Sequence, residues 1–163
     1  LHRHFHNFLP YTLFVYCSGD ETINSLCRES SFKNKNAQTL QLVSRSSGSF
    51  LRRYFNLNHR HNSFSDYNMD MESFDRVIIA CDEFAGGISS ELIEFINSND
   101  FRYKNVDCIV FGEGKFVKKA QDSLKVHISL SGGTVRNCLC VSSKELKRAD
   151  EDLLFSMRHR LVI

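Results

Sequence analysis

Four short apolar runs punctuate the chain, each flanked by turn-forming residues: Tyr11 to Tyr16 (YTLFVY), Leu40 to Val43, Arg76 to Ala80 (RVIIA) and Val106 to Phe111 (VDCIVF). Runs this short and apolar on both faces are what strands look like when helices cover both sides of a sheet. A fifth run, Val135 to Val141, is broken by Arg136 and Asn137 and reads as a strand close to the sheet edge.

Between the runs the apolar period changes. Ile88, Leu92, Phe95 and Ile96 recur at helical spacing behind Ser89 or Ser90 as the N-cap. Val117, Ala120, Leu124 and Ile128 repeat that spacing, and Gly132-Gly133 supplies a C-terminal stop. Ile23, Leu26 and Cys27 mark a first crossover helix after Thr22, and Leu146, Ala149, Leu153, Met157 and Leu161 a last one opened by Ser142 or Ser143. Strand then helix, repeated, implies right-handed crossovers and a parallel sheet covered on both faces. No internal repeat or heptad array interrupts that pattern.

Residues 44–73 fit least well. They are rich in Ser, Asn, Arg and His, and only Phe50, Leu51, Tyr54, Phe55 and Leu57 offer a core-facing stripe, so a short helix followed by a mobile loop is expected. Residues 1–10 are expected to be a flexible N-terminal segment and 11–163 a single α/β domain. A chain of 163 residues has room for one core, around which roughly two-thirds of its unfolded surface is buried. The sequence begins at Leu1 rather than methionine, the pattern of a trimmed or excised chain.

Composition narrows the class. Hydrophobic residues make up 42% and charged ones 25%, ordinary for a soluble globular protein, and no stretch approaches the roughly 20 apolar residues that cross a bilayer. The stretch from Phe8 to Cys17 is interrupted by Pro10, so it reads as the approach to a strand rather than a signal sequence. Net charge is +2. The basic residues are scattered except at Arg52-Arg53 with His59-Arg60-His61 and at Arg158-His159-Arg160, which gives nucleic-acid binding no support. Of six cysteines, Cys81, Cys108, Cys138 and Cys140 fall in or at the end of apolar runs, where a thiol behaves as a small buried hydrophobe, so a reducing cytoplasm is the expected home.

Candidate chemistry collects where an open parallel sheet binds ligands, outside the C-terminal ends of its strands. Three loops qualify: Cys17 to Thr22, Cys81 to Gly87 and Gly112 to Lys115. Each contains glycine and leads into a helix whose first amides can receive an anion. Cys17 and Cys81 are placed at the rim, where a helix N-terminus can lower a thiol pKa, but both read first as buried filler. His2, His4 and His6 alternate, and His59 and His61 repeat the spacing, but neither group has a Cys or carboxylate beside it, so both read as solvated segments. No serine sits in a G-x-S-x-G elbow.

The order and spacing of these elements over Tyr11 to Leu161 resemble the flavodoxin-like family, including its NAD(P)H-dependent FMN reductases. The resemblance implies a three-layer α/β/α sandwich with a five-stranded parallel sheet and non-covalently bound FMN. It places Ser18, Gly19 and Thr22 at the flavin phosphate, in a loop whose usual hydroxyl run is shortened and which carries Asp20 and Glu21. It places Asp82, Phe84, Gly86, Gly87, Gly112 and Gly114 near the ring, with Phe84 as the stacking aromatic. It further implies electron transfer or reduction of a flavin or quinone, with NAD(P)H or a redox partner protein as the other party, and is compatible with a homodimer. A tight turn with Phe84 packed on its neighbours explains the second loop equally well. Two alternatives use the same fold: a domain that has lost its cofactor and serves as an interaction module, and a response-regulator receiver built on Asp20, Glu21 and Asp82. The receiver lacks its hydroxyl, replaced by Gly112, and Lys144 lacks the usual following proline.

Overall fold

A computed structural model describes residues 11–32, 36–43, 68–84, 86–142 and 144–145. Five strands form one sheet in the order β2-β1-β3-β4-β5. They are β1 (Thr12–Cys17), β2 (Ala37–Gln41), β3 (Arg76–Asp82), β4 (Asn105–Phe111) and β5 (Thr134–Val141), and every neighbouring pair is parallel. Among the described residues three α-helices lie between them: α1 (Glu21–Phe32), α2 (Ser90–Ser98) and α3 (Lys115–Leu130).

The continuous apolar runs have the expected cause. β1 is buried at every position, and β3 and β4 at all but their ends. Alternate residues of each strand feed two cores. Leu13, Val15, Val77, Ile79, Val106 and Val110 pack with Leu92, Phe95 and Ile96 of α2 and Val117, Ala120, Leu124 and Ile128 of α3. On the opposite face Phe14, Tyr16, Ile78, Ala80, Ile109 and Phe111 pack with Ile23, Leu26 and Cys27 of α1. The chain therefore leaves β1 toward one face and β3 toward the other. The switch point of the sheet lies between these two strands.

Helix boundaries follow local chemistry. Ser89 is the N-cap of α2, its Oγ accepting the Leu92 amide at 3.3 Å. After α3 the Gly133 amide bonds the Ile128 carbonyl at 2.9 Å and Gly132 adopts φ +91°, the left-handed stop expected there. Ser142 opens the final helix by a reciprocal box. Its amide donates to Glu145 Oε2 at 2.7 Å, and the Glu145 amide donates to Ser142 Oγ at 3.3 Å. The apolar positions Leu146 to Leu161 expected to form a last helix lie outside the described residues, as do the N-terminal segment with its histidines, the stripe from Phe50 to Leu57, the basic clusters and His59 with His61.

Three boundaries depart from expectation. β2 spans Ala37–Gln41, not Leu40 to Val43, because it is an edge strand with Gln38 and Gln41 exposed, and only its end is apolar. Cys17 and Cys81 belong to strands rather than loops, paired in register across β1 and β3. Asp82 is likewise the last residue of β3, opposite Phe111. In β5, the register against β4 shifts between Val106 and Asp107, leaving Arg136 as an extra residue. That irregularity brings Arg136 to Asp107, which is buried and also bonded by Arg76 and Asn137, with Nη2 atoms of Arg76 and Arg136 at 2.6 and 3.0 Å.

Candidate functional site

The first loop is short. β1 ends at Cys17 and α1 begins at Glu21, so Ser18, Gly19 and Asp20 make the whole turn. Asp20 caps α1, its Oδ1 accepting the Thr22 amide at 2.8 Å, and its own amide donates to Ser18 Oγ at 2.9 Å. Asn24 ties the turn down from within the helix, Nδ2 donating to the Ser18 carbonyl at 3.1 Å. Because Cys17 pairs with Cys81, the next residue of β3 falls beside this turn. Ser18 Oγ donates to Asp82 Oδ2 at 2.6 Å, and the Gly19 amide donates to the same oxygen at 3.0 Å.

Burial pushes the Asp82 carboxyl above its ordinary value, an effect opposed by the Ser18 and Gly19 donors and reinforced by Asp20 and Glu83. Its other oxygen, Oδ1, is buried with no hydrogen-bond partner among the described residues. Such an atom carries a desolvation cost that no hydrogen bond among the described residues offsets.

The second loop is a miniature hairpin. Phe84 and Gly87 exchange both backbone hydrogen bonds at 2.8 Å, and Gly86 takes φ +79° at the tip. The Phe84 side chain is 49% exposed, so it is displayed rather than packed away. The other half of its surface is covered by the chain, and the loop itself is the tight turn of the alternative reading.

The third loop closes against the second. Gly112 adopts φ +151°, and a Cβ there would lie 2.8 Å from Glu83 Cγ and 3.0 Å from Val117 Cγ2. Glycine is thus required twice over, by conformation and by the close approach of Glu83. Gly114 is the N-cap of α3 and offers no side-chain cap. A methyl group on Gly86 would sit 3.4 Å from the Phe116 ring, which is 44% exposed. Lys115 and Lys119 place their ammonium groups 5.5 and 6.0 Å from that ring centre.

The structure thus gathers every expected site residue at one sheet edge, in two sets. Ser18, Gly19, Thr22 and Asp82 form a hydrogen-bonded turn, with Thr22 contributing an amide already given to Asp20. Phe84, Gly86, Gly87, Gly112 and Gly114 line the paired loops beyond it. Ser89 bridges the strand ends, its Oγ 3.4 Å from Cys17 Sγ. Phe116 and Glu83 were missed by the pattern, Phe116 because it is the single exposed aromatic in an otherwise regular helical repeat. Asp20, Glu21 and Asp82, at the ends of β1 and β3, do not gather as a receiver would need: among the described residues no group of three acids, histidines or cysteines could hold a metal ion.

The cysteines divide by their place in the sheet. Cys17 and Cys81 are buried, as the filler reading has it and not at the rim, and burial foremost raises the Cys81 thiol well above its ordinary value, so it is not a poised thiolate. Cys140, expected inside, is exposed because β5 is an edge strand. No disulfide forms among the described cysteines, and no helix among the described residues is long and apolar enough to cross a membrane.

No family model matches the sequence, and no curated protein sequence matches it either. Solved structures do. A protein from Bacteroides eggerthii assigned as a flavoprotein superposes with a TM-score of 0.64 at 13% identity, over 95% of this chain and 99% of that one. A flavoprotein from Lactobacillus acidophilus in complex with FMN gives 0.59 at 14% identity, over 86% and 98%. The flavodoxin of Fusobacterium nucleatum bound to flavin mononucleotide gives 0.54 at 13%, over 91% and 98%. With the strand order 2-1-3-4-5 and its switch point between β1 and β3, the chain has the flavodoxin-like fold.

Proposed function

We propose that this chain binds FMN without a covalent link at the β1/β3 switch point and works in electron or hydride transfer. The observation that carries the reading is the display of Phe84 on a glycine hairpin at the carboxyl edge of the sheet, where this fold places a flat cofactor. Phe84 and Phe116 supply aromatic surface, and Gly86, Gly87 and Gly112 let main chain approach a ring edge. At the other end, Ser18 Oγ and the Gly19 amide are the right donors for a phosphate, though Asp82 uses both. Phe84, Phe116 and the glycines support the ring end of this reading, and the phosphate end requires Asp82 to yield its two donors. The flavin, when bound, supplies the redox chemistry; the chain's part is to hold it, exclude water and set its potential. NAD(P)H or a redox protein is the other party in this reading.

One spectrum tests it. Purified protein should carry flavin absorbance, or acquire it on incubation with FMN, and release FMN on denaturation. Colourless protein that takes up none would sink the reading. It would favour the second one, an interaction module without cofactor, for which the filling of the phosphate donors by Asp82 and the carboxylates of Asp20 and Glu21 speak.

A further inference from the structure

Three features of the first loop belong together. Its hydroxyl and its glycine amide converge on one carboxylate oxygen, Asp82 Oδ2. The amide that an α1 N-terminus would otherwise present, that of Thr22, is taken by Asp20. The remaining Asp82 oxygen is buried and has no hydrogen-bond partner among the described residues. A convergent hydroxyl and amide at a strand-to-helix turn is the arrangement that receives a phosphate oxygen. Here the chain places its own anion in that position.

We propose that Asp82 is an internal stand-in for a ligand phosphate, and that it determines specificity by setting this chain's discrimination between phosphorylated and unphosphorylated flavin. This rests on the flavin reading above for the identity of the ligand. The carboxylate comes from the end of β3, so it reaches the turn only because β1 and β3 are neighbours in the sheet, with Cys17 opposite Cys81. A flavin phosphate, dianionic near neutral pH, must break two hydrogen bonds to Asp82 and tolerate its charge, with Asp20 and Glu83 close by adding to the repulsion. A flavin without phosphate meets neither obstacle, because the ring loops are built from Phe84, Gly86, Gly87 and Gly112. Wild-type protein therefore gains little or nothing from the phosphate group, against the usual benefit of such a loop.

The test compares FMN with riboflavin, titrated into the full chain freed of bound flavin and followed by quenching of flavin fluorescence, for wild type, Asp82→Asn and Asp82→Ala. Asp82→Asn keeps shape and an acceptor but removes the charge; Asp82→Ala also frees the donors. FMN should tighten by about tenfold or more in both variants, the weight of one like charge at close range, while riboflavin stays within about twofold. An equal change for both ligands, or weaker FMN binding, overturns the proposal.

Inorganic phosphate is the second probe, read from the Gly19 amide in a two-dimensional NMR spectrum that also reports folding. The amide should shift with phosphate in Asp82→Ala and not in wild type. If Asp82→Ala does not fold, the Asp82→Asn titrations decide alone. If no flavin binds any form but phosphate moves Gly19 in the variant alone, the flavin reading falls and the role of Asp82 stands. If flavins bind and the FMN-to-riboflavin ratio is unmoved, Asp82 has no such role and the flavin reading stands. If neither flavin nor phosphate responds in any form, both are overturned.

Discussion

Ser18 and Asp82, 64 residues apart in sequence, meet at 2.6 Å, the hydroxyl donating to the carboxylate and locking the β1 turn onto the end of β3. A hydrogen bond to a charged, half-buried acceptor contributes more than one between neutral groups. Ser18→Ala should lower unfolding free energy by about 1–2 kcal/mol, measured by urea denaturation. It also removes the acceptor of the Asp20 amide. An unchanged midpoint would mean the bond is replaced by water at no cost.

Gly112→Ala should be worse. The new methyl meets Glu83 and Val117 and must adopt a positive φ, so the second and third loops part. A loss of about 2–3 kcal/mol is expected from strain and overpacking. Gly114→Ala is the control: it has positive φ too, but nothing within 4 Å of the added carbon, so its cost should be the smaller in the same thermal melts. Equal costs would show that backbone strain alone, not the contact with Glu83, explains Gly112.

Two carboxyls, the buried Asp107 and the half-buried Asp82, should bend the stability curve in opposite directions. Burial pushes Asp107 upward, but hydrogen bonds from Arg136, Asn137 and Arg76 outweigh it and hold the carboxyl below its ordinary value. Its contribution is therefore present above the unfolded pKa of about 3.9 and lost as pH falls through the lower folded value. Asp82, with its raised value, contributes below about 3.9 and loses that contribution as pH rises through the folded value. Asp107→Asn should cost about 2–4 kcal/mol near neutrality, since it leaves two guanidinium groups uncompensated, and should flatten the acid limb. Asp82→Asn should gain on wild type as pH rises from about 3 to about 7. Urea titrations across that range check both, and parallel curves would refute the assignment.

Thiol labelling should follow position in the sheet. Cys138 is half-buried and held below its ordinary value by the hydrogen bond with Cys108, with Lys125 and Lys118 in support. Cys140 is exposed. Both should react with iodoacetamide in native protein, read by peptide mass spectrometry. Cys17, Cys27, Cys81 and Cys108 are buried, Cys27 pushed up to about 12 foremost by burial, and should react only after denaturation. Native labelling of Cys81 ahead of Cys138 would contradict this order.

Most of the fold was legible along the chain because burial on both faces leaves a strand no polar positions. VDCIVF is such a run, and β1 and β3 read the same way. Helices announced themselves through Leu92, Phe95 and Ile96, and through Val117, Ala120, Leu124 and Ile128. β2 was misplaced because an edge strand has one wet face, so Gln38 and Gln41 diluted its signal. Asp107 broke an apolar run for a reason no local pattern contains, the arginines of two neighbouring strands.

The site divided in the same way. Glycines and Phe84 at strand ends could be read in order, since the C-terminal edge of a parallel sheet is where loops and helix starts converge whatever the sequence between them. The pattern along the chain sufficed for the class of fold and for the sheet edge at which the candidate residues stand. Only the tertiary structure decided that Asp82 is bonded to Ser18 and Gly19, that Phe116 lies against Gly86 and that Cys17 and Cys81 are sealed in the core. Those are pairings across separate strands and loops. Sequence periodicity records which face of an element is buried, whereas contacts between elements are set by strand order and register.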